Sequence, residues 1–383
     1  MKRLLLVIST VIIVCGLLFS GCSESAETPE PESIPTSAPA VTSTSPSEPA
    51  ATTTPEPAPT STTSEVIELK FAHSYPPMSG LGVALDNWAK KIQEDTNGGV
   101  EITIYPGGTL FKPHEFYTAT ASGVTDIAYG DVPNGMDYYA LETVLNLPGL
   151  SWPEPYPEVL DMRMEVLEGL REKFPEITEA HKDVVTLFDV VMPPFVFHSP
   201  KKAVRTPDDI KGLKVAAGGW YVTLASILEA VPVSIPAPDR YTAFERGTVE
   251  GSWDVWGGIF ALKWYEVSDN YLEGVEFGDS SATVIMNMDK YNALPDDIKE
   301  IFKANQQYGY EQAAWGFTSA GELGIAEAEK LGATFLTPTP EEVGLWQDAL
   351  RPSCDAWIQE QADRGLPAQE VFDEMLHLIE QYK

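Results

Sequence analysis

Thr206-Pro207-Asp208-Asp209-Ile210-Lys211-Gly212-Leu213-Lys214-Val215-Ala216 and, after a helix-like interval, Asp239-Arg240-Tyr241-Thr242-Ala243-Phe244-Glu245-Arg246-Gly247 decide how this chain folds. Each is a helix start followed by a strand. Thr206 supplies a capping hydroxyl, Pro207 takes the first helical position, and Asp208 and Asp209 fall where the helix dipole favours negative charge. Gly212 stops that turn, and residues 213–216 follow as a strand. Asp239 reads as an acidic cap and Gly247 as a second stop. The next run, 249–256, reads as a strand delivering Trp253, Asp254 and Trp256 at its end. In open α/β sheets, strand ends face the crevice where ligands bind.

Upstream, residues 66–73 read as a first buried strand ending at His73-Ser74-Tyr75. Leu81, Leu85, Trp88 and Ile92 form one stripe of a helix, and Val100, Ile102 and Ile104 alternate as the next strand. Residues 123–130 lead through Tyr129 to Asp131, completing the β-α-β-α-β opening of an open α/β lobe. A helix is expected over about 159–174, and 184–191 and 282–287 are two strands expected to cross between lobes. From Tyr291 toward Gly332 the pattern predicts a long helical region; if continuous, some 35 residues would run about 50 Å, with a break near Gly309 or Gly316 as the alternative. Two further helices are expected over 341–362, kinked at Pro352, and over 367–382.

The start has another character. Met1-Lys2-Arg3 is basic, residues 4–19 are apolar, and Phe19-Ser20-Gly21-Cys22 places small residues before a cysteine. This resembles a bacterial lipobox, with phenylalanine where leucine is usual. It implies a signal peptide over 1–21 and Cys22 as a lipid anchor; a signal peptide cleaved near Gly21, or an uncleaved anchor, are the alternatives. Residues 22–64, rich in Ser, Thr, Pro, Glu and Ala, cannot bury enough apolar surface to fold and are expected to be a disordered tether or a glycosylated stalk. About 320 residues remain, enough for two lobes. A net charge of −32 argues against nucleic acid or an anionic membrane surface as partner. Of three cysteines only Cys354 lies in the expected globular part, so no internal disulfide is available.

Catalytic signatures are missing. There is no G-x-S-x-G, H-E-x-x-H, phosphate-binding glycine loop or C-x-x-C, and nothing has metal-ligand spacing. Asp208-Asp209 and Asp296-Asp297 sit at helix starts, where capping explains them. Asp131, Asp189 and Asp254 are acids of the kind a glycosidase pairs, yet nothing local brings two together. A binding protein without cofactor is the expectation.

The pattern T-P-D-D-I-K-G-L-K-V, a helix, then Y-T-A-F-E-R-G-T-V-E-G, with Y-P-G-G-T-L and G-V-T-D-I-A-Y-G upstream, resembles the dicarboxylate-type solute receptors of tripartite ATP-independent periplasmic (TRAP) transporters. The resemblance implies a two-lobed α/β fold of the type II periplasmic-binding kind, braced by a long helix. Lobe I is expected over 65–190 plus 282–320, and lobe II over 191–281 plus 321–383. It also implies an extracytoplasmic receptor that hands a small molecule to small and large permease subunits, touching the membrane only through its anchor. A ligand-sensing surface lipoprotein is the alternative of a different class.

In the resembled family an arginine on the strand after G-L-K clamps the ligand carboxylate through two hydrogen bonds. Ala216 stands there, and Phe195 matches a second family arginine. Trp220, Trp253, Trp256, Phe195 and Phe197, with Asp254, and with His73, Tyr75, Tyr129 and Asp131 opposite, are the candidate site residues. Aromatic faces plus a carboxylate suit a neutral or cationic solute. An organic acid bound without the usual arginine, through Lys112, His114, His73 or Lys201, is the alternative.

Overall fold

The computed structural model describes residues 66–150, 152, 159–218, 220–278 and 280–382. The expected signal peptide, Cys22, the tether and residues 153–157 lie outside them. In chain order the strands are β1 (Ile67–Ala72), β2 (Val100–Tyr105), β3 (Ile127–Asp131), β4 (Val184–Val191), β5 (Val196–Ser199), β6 (Lys214–Ala216), β7 (Val231–Val233), β8 (Gly251–Asp254), β9 (Asn270–Leu272), β10 (Ser281–Asn287) and β11 (Thr334–Leu336). They make two sheets, ordered β2-β1-β3-β10-β4 and β11-β9-β5-β8-β6-β7. The fold is the expected two-lobed α/β architecture.

Local chemistry explains most elements. Ser79 caps the helix Gly80–Asp95 by accepting from the Gly82 amide at 3.1 Å, and Leu81, Leu85, Trp88 and Ile92 form its buried stripe. Thr206 and Asp209 form a capping box at Pro207–Ile210, and Gly212 then takes a left-handed φ of 72° before β6. The second start departs slightly from expectation. Pro236, not Asp239, caps the helix Ala237–Glu245, with Asp239 in its first turn. Strand β8 ends at Asp254, and Trp256 opens the helix Trp256–Ala261 instead of ending a strand.

Strands β4 and β10 do not themselves cross. They pair antiparallel inside the first sheet, and the crossings are the segments 192–195 and 273–280 on the way to β5 and from β9. The expected 35-residue helix is also divided, into Met288–Ala293, Asp296–Ala304 and Gln306–Lys330. At the second break Asn305 leaves helical geometry, its carbonyl accepts from the Trp88 indole at 3.2 Å, and its amide reaches Asp95 Oδ2 at 2.9 Å. The Asn305 carbonyl also accepts from the Gly309 amide at 3.0 Å, so Trp88 and Asp95 add partners from another helix at the break, which sequence periodicity cannot show.

The remaining long helix still touches both halves. At Gly316 a Cβ would lie 2.7 Å from the backbone oxygen of Gly80, so this pair of glycines allows backbone contact with the helix Gly80–Asp95. One and two turns on, the same helix packs on Trp256 and Phe260 beside the second sheet. The C-terminal chain divides its contacts: Trp346 and Leu350 of the helix Pro340–Asp363 join the core of the second sheet. Val371 and Met375 of the helix Ala368–Glu380 join a core with Leu141, Val166 and Leu170 of the loop and helix Val159–Lys173. The last helix thus packs on the helix Val159–Lys173, apolar stripe against apolar stripe.

Beside that helix lies a buried ionic cluster. The Arg171 guanidinium donates to Glu142 through Nη2 at 3.0 and 3.1 Å and to Asp189 through Nη1 at 2.6 Å. His181 Nε2 lies 3.1 Å from Glu142 Oε1, and Tyr139 stacks on the imidazole at 4.8 Å.

Candidate functional site

Register shows which end of each sheet meets the crossings. Asp131 lies opposite Ala282, and Val191 opposite Ser281, so the end of the first sheet where the chain leaves and returns carries Asp131. In the second sheet Val196 lies opposite Asp254, Ala216 opposite Ser252, and Phe197 opposite Leu272. The end that receives and releases the crossings therefore carries Ala216 and Asp254.

At the first edge three expected residues come together. Tyr75 and Tyr129 donate their hydroxyls to Asp131 Oδ1 at 3.3 and 3.2 Å, and Asn134 donates to Oδ2 at 3.2 Å. Burial raises the Asp131 carboxyl to about 6, the two tyrosine hydroxyls pulling the other way. His73, next to them in the chain, is buried and lowered to about 4, chiefly by desolvation. A carboxyl raised in the native state contributes most when protonated. Its contribution is complete below the ordinary value of 3.8 and is lost as pH rises through about 6. The stability of Asp131→Asn relative to wild type is therefore expected to grow by on the order of 2–3 kcal/mol between about pH 4 and pH 8. Urea unfolding at both pH values measures it; a difference constant with pH would contradict the raised carboxyl.

At the second edge Asp254 is already engaged. Arg240 Nη1 donates to Oδ1 at 2.7 Å and to Ser252 Oγ at 3.3 Å, while Ser252 Oγ lies 2.6 Å from Oδ2. His198 Nε2 is 3.1 Å from Oδ2, and its Nδ1 is 2.8 Å from Ser268 Oγ. Serine, histidine and aspartate in line suggest a nucleophile relay, but His198 is 0% and Ser268 1% exposed. No substrate reaches such a serine, and the chain of bonds serves to orient Asp254.

At the two crossings, beside the long helix, lies a cavity of about 810 Å³ that neither Asp131 nor Asp254 lines. Its walls include Met192, Phe195 and Val196 of one crossing, Glu273 and Glu276 of the other, Trp256 and the long helix. Trp152 and Arg163 close it from the first-sheet side. Arg163 Nη2 reaches Glu276 Oε2 at 3.2 Å, and its guanidinium lies over the Trp152 ring at 4.5 Å. The Trp256 indole donates to Glu273 Oε1 at 2.9 Å. Burial raises both Glu273 and Glu276, countered in Glu276 by Arg163. A larger hollow of about 1010 Å³ opens beside Arg171, Asp189 and Gln306. It lies away from both crossings, and its guanidinium is already held by carboxylates.

The expected residues thus divide. Phe195 and Trp256 line the cavity, and Tyr75, Tyr129 and Asp131 form one cluster. Ala216 is buried beneath Phe244 and Trp256. Trp253 and Phe197, expected as aromatic walls, are 2% and 1% exposed and pack edge to face at 5.2 Å in the core of the second sheet. Strand alternation explains this, since Trp253 points to the face opposite Ser252 and Asp254. Trp220 is half-buried and does not line the cavity. Sequence reasoning missed Arg240, His198, Trp152, Arg163, Glu273 and Glu276. None carries a local signal, because each partner lies on a different element.

Comparison with known proteins agrees with the geometry. Residues 71–361 match the family described as bacterial extracellular solute-binding protein, family 7. The C4-dicarboxylate-binding periplasmic protein DctP of Vibrio cholerae is 23% identical over 308 residues, 78% of this chain and 88% of that protein. A TRAP periplasmic solute-binding protein from Desulfovibrio salexigens, solved in an open complex, superposes with a TM-score of 0.72 at 24% identity, covering 83% of this chain and 97% of that one. A TRAP solute-binding protein from Rhodoferax ferrireducens with copurified benzoate gives 0.71 at 22% identity, over 82% and 98%.

Proposed function

We propose that this chain, which belongs to the bacterial extracellular solute-binding proteins of family 7, closes its lobes on a small neutral or cationic organic solute and releases it to a TRAP-type permease. The family's members are extracytoplasmic receptors, not enzymes. What carries the reading of the solute is the state of the guanidiniums. Ala216 and Phe195 occupy the positions where the resemblance implies arginines, and Arg240, at the same edge, is neutralised by Asp254 at 2.7 Å. A desolvated ligand carboxylate would find no unmatched positive charge there, and burying it so is costly. The crossings 192–195 and 273–280 supply the hinge. Cys22 carries the lipid anchor in this reading; metabolic palmitate labelling that is lost on Cys22→Ser tests it.

A thermal-shift screen over acids, amines, polyols and neutral aromatics tests the solute class, since a ligand raises the melting temperature by mass action. Amines or neutral compounds are expected to give the large shifts, and Ala216→Arg is expected to add response to carboxylates. A second reading has Arg240 in its favour: an organic acid could displace Asp254 and take the guanidinium, as suits relatives named for dicarboxylate or solved with benzoate. Shifts from carboxylates alone, removed by Arg240→Gln, would establish that reading instead.

A further inference from the structure

We infer that the cavity at the lobe crossing is a site for an organic ammonium ion, with Glu276 as its counter-charge and the rings of Trp152 and Phe195 as its walls. The inference rests on the interlobe receptor reading above and commits it to one class of solute.

Charge decides first. Among the described residues the cavity is lined by Glu273, Glu276 and Glu322 against one guanidinium, that of Arg163. An anion entering it meets excess negative charge in a desolvated space. Pairing decides next. Glu276 accepts from Arg163 through Oε2 at 3.2 Å and keeps 21% of its side chain exposed. With acids outnumbering the guanidinium around this space, an ammonium ion adds a second positive partner for that carboxylate. A neutral alcohol supplies a weaker donor, and an apolar ligand none.

The walls then select an organic cation over a metal ion. A Trp or Phe face attracts a weakly hydrated cation through its quadrupole, most strongly when water is excluded. This cavity already shows that affinity, with the Arg163 guanidinium 4.5 Å from the Trp152 ring centroid. Phe195, half-buried and backed by Tyr221 at 4.9 Å, offers a second ring held in place. A volume of about 810 Å³ leaves room for a substituted ammonium rather than a bare ion. Both crossings contribute walls, so a bound cation would hold the lobes together.

The test uses the isosteric set benzylamine, benzyl alcohol and benzoate, with tetraethylammonium as a larger cation, on the folded receptor by calorimetry and thermal shift. Benzylamine or tetraethylammonium is expected to bind, with Glu276→Gln weakening the cation roughly tenfold or more. Because Glu276→Gln also deprives Arg163 of a partner, Phe195→Leu provides an independent variant that keeps that ion pair. It is expected to weaken the cation roughly three- to thirtyfold and to leave any benzyl alcohol binding nearly unchanged. Benzyl alcohol binding as well as benzylamine would overturn the inference and leave the receptor reading intact. Benzoate binding alone would overturn both. Silence from both cations at millimolar concentration would likewise overturn it.

Discussion

Arg171→Ala is expected to cost about 3–5 kcal/mol of unfolding free energy, because it leaves Glu142 and Asp189 buried without their shared cation. Guanidinium chloride unfolding measures it. Arg171→Lys should recover only part, since one ammonium cannot hold both oxygens of Glu142 and also reach Asp189. The pH dependence is a second readout. Burial pushes Glu142 upward, but Arg171 and His181 outweigh it and leave this carboxyl below its ordinary value. A depressed carboxyl contributes stability at neutral pH that is lost as pH falls through its native value. The alanine variant should therefore lose that acid-side slope as well as stability. A loss below about 1 kcal/mol would mean that the carboxylates reach water, as in exposed pairs.

Trp253→Ala is expected to cost a similar amount, about 3–5 kcal/mol, by leaving a cavity among Phe197, Phe277 and Tyr221. The measurement again is chemical unfolding, paired with the ligand titration. Trp253→Phe should regain much of the stability and bind any solute found in the screen as wild type does. If Trp253→Ala stayed within about 1 kcal/mol of wild type yet lost the solute, the indole would be a site wall after all and its burial in the core would be wrong.

Much of the fold follows from local rules that the residues display openly. Alternation in 100–105, the stripe Leu81-Leu85-Trp88-Ile92 and the box Thr206–Asp209 each involve neighbours within a few positions. The long helix is broken at Asn305, where Trp88, 217 positions away, adds a hydrogen bond to the carbonyl that no neighbouring residue announces. The candidate site failed at Trp253, where the strand was expected but the covered face was not evident. Which face of β8 meets the core depends on the helices packed on each side, so aromatic character alone could not separate a wall from a filling.

By itself the chain's order of residues determined the strands of the first lobe and the capped turns around 206–216, the receptor class through its spaced motifs, and the absence of arginine at 216 and 195. Only the tertiary structure decided that Arg240 neutralises Asp254, that Arg163 meets Glu276 across 113 positions, and that Glu276, with Glu273 and Glu322, lines an aromatic cavity. The physical reason is range. Caps, turns and periodicity are energies of residues a few places apart, whereas a counter-charge or a ring wall is chosen by sheet register and by where two crossings bring distant elements together.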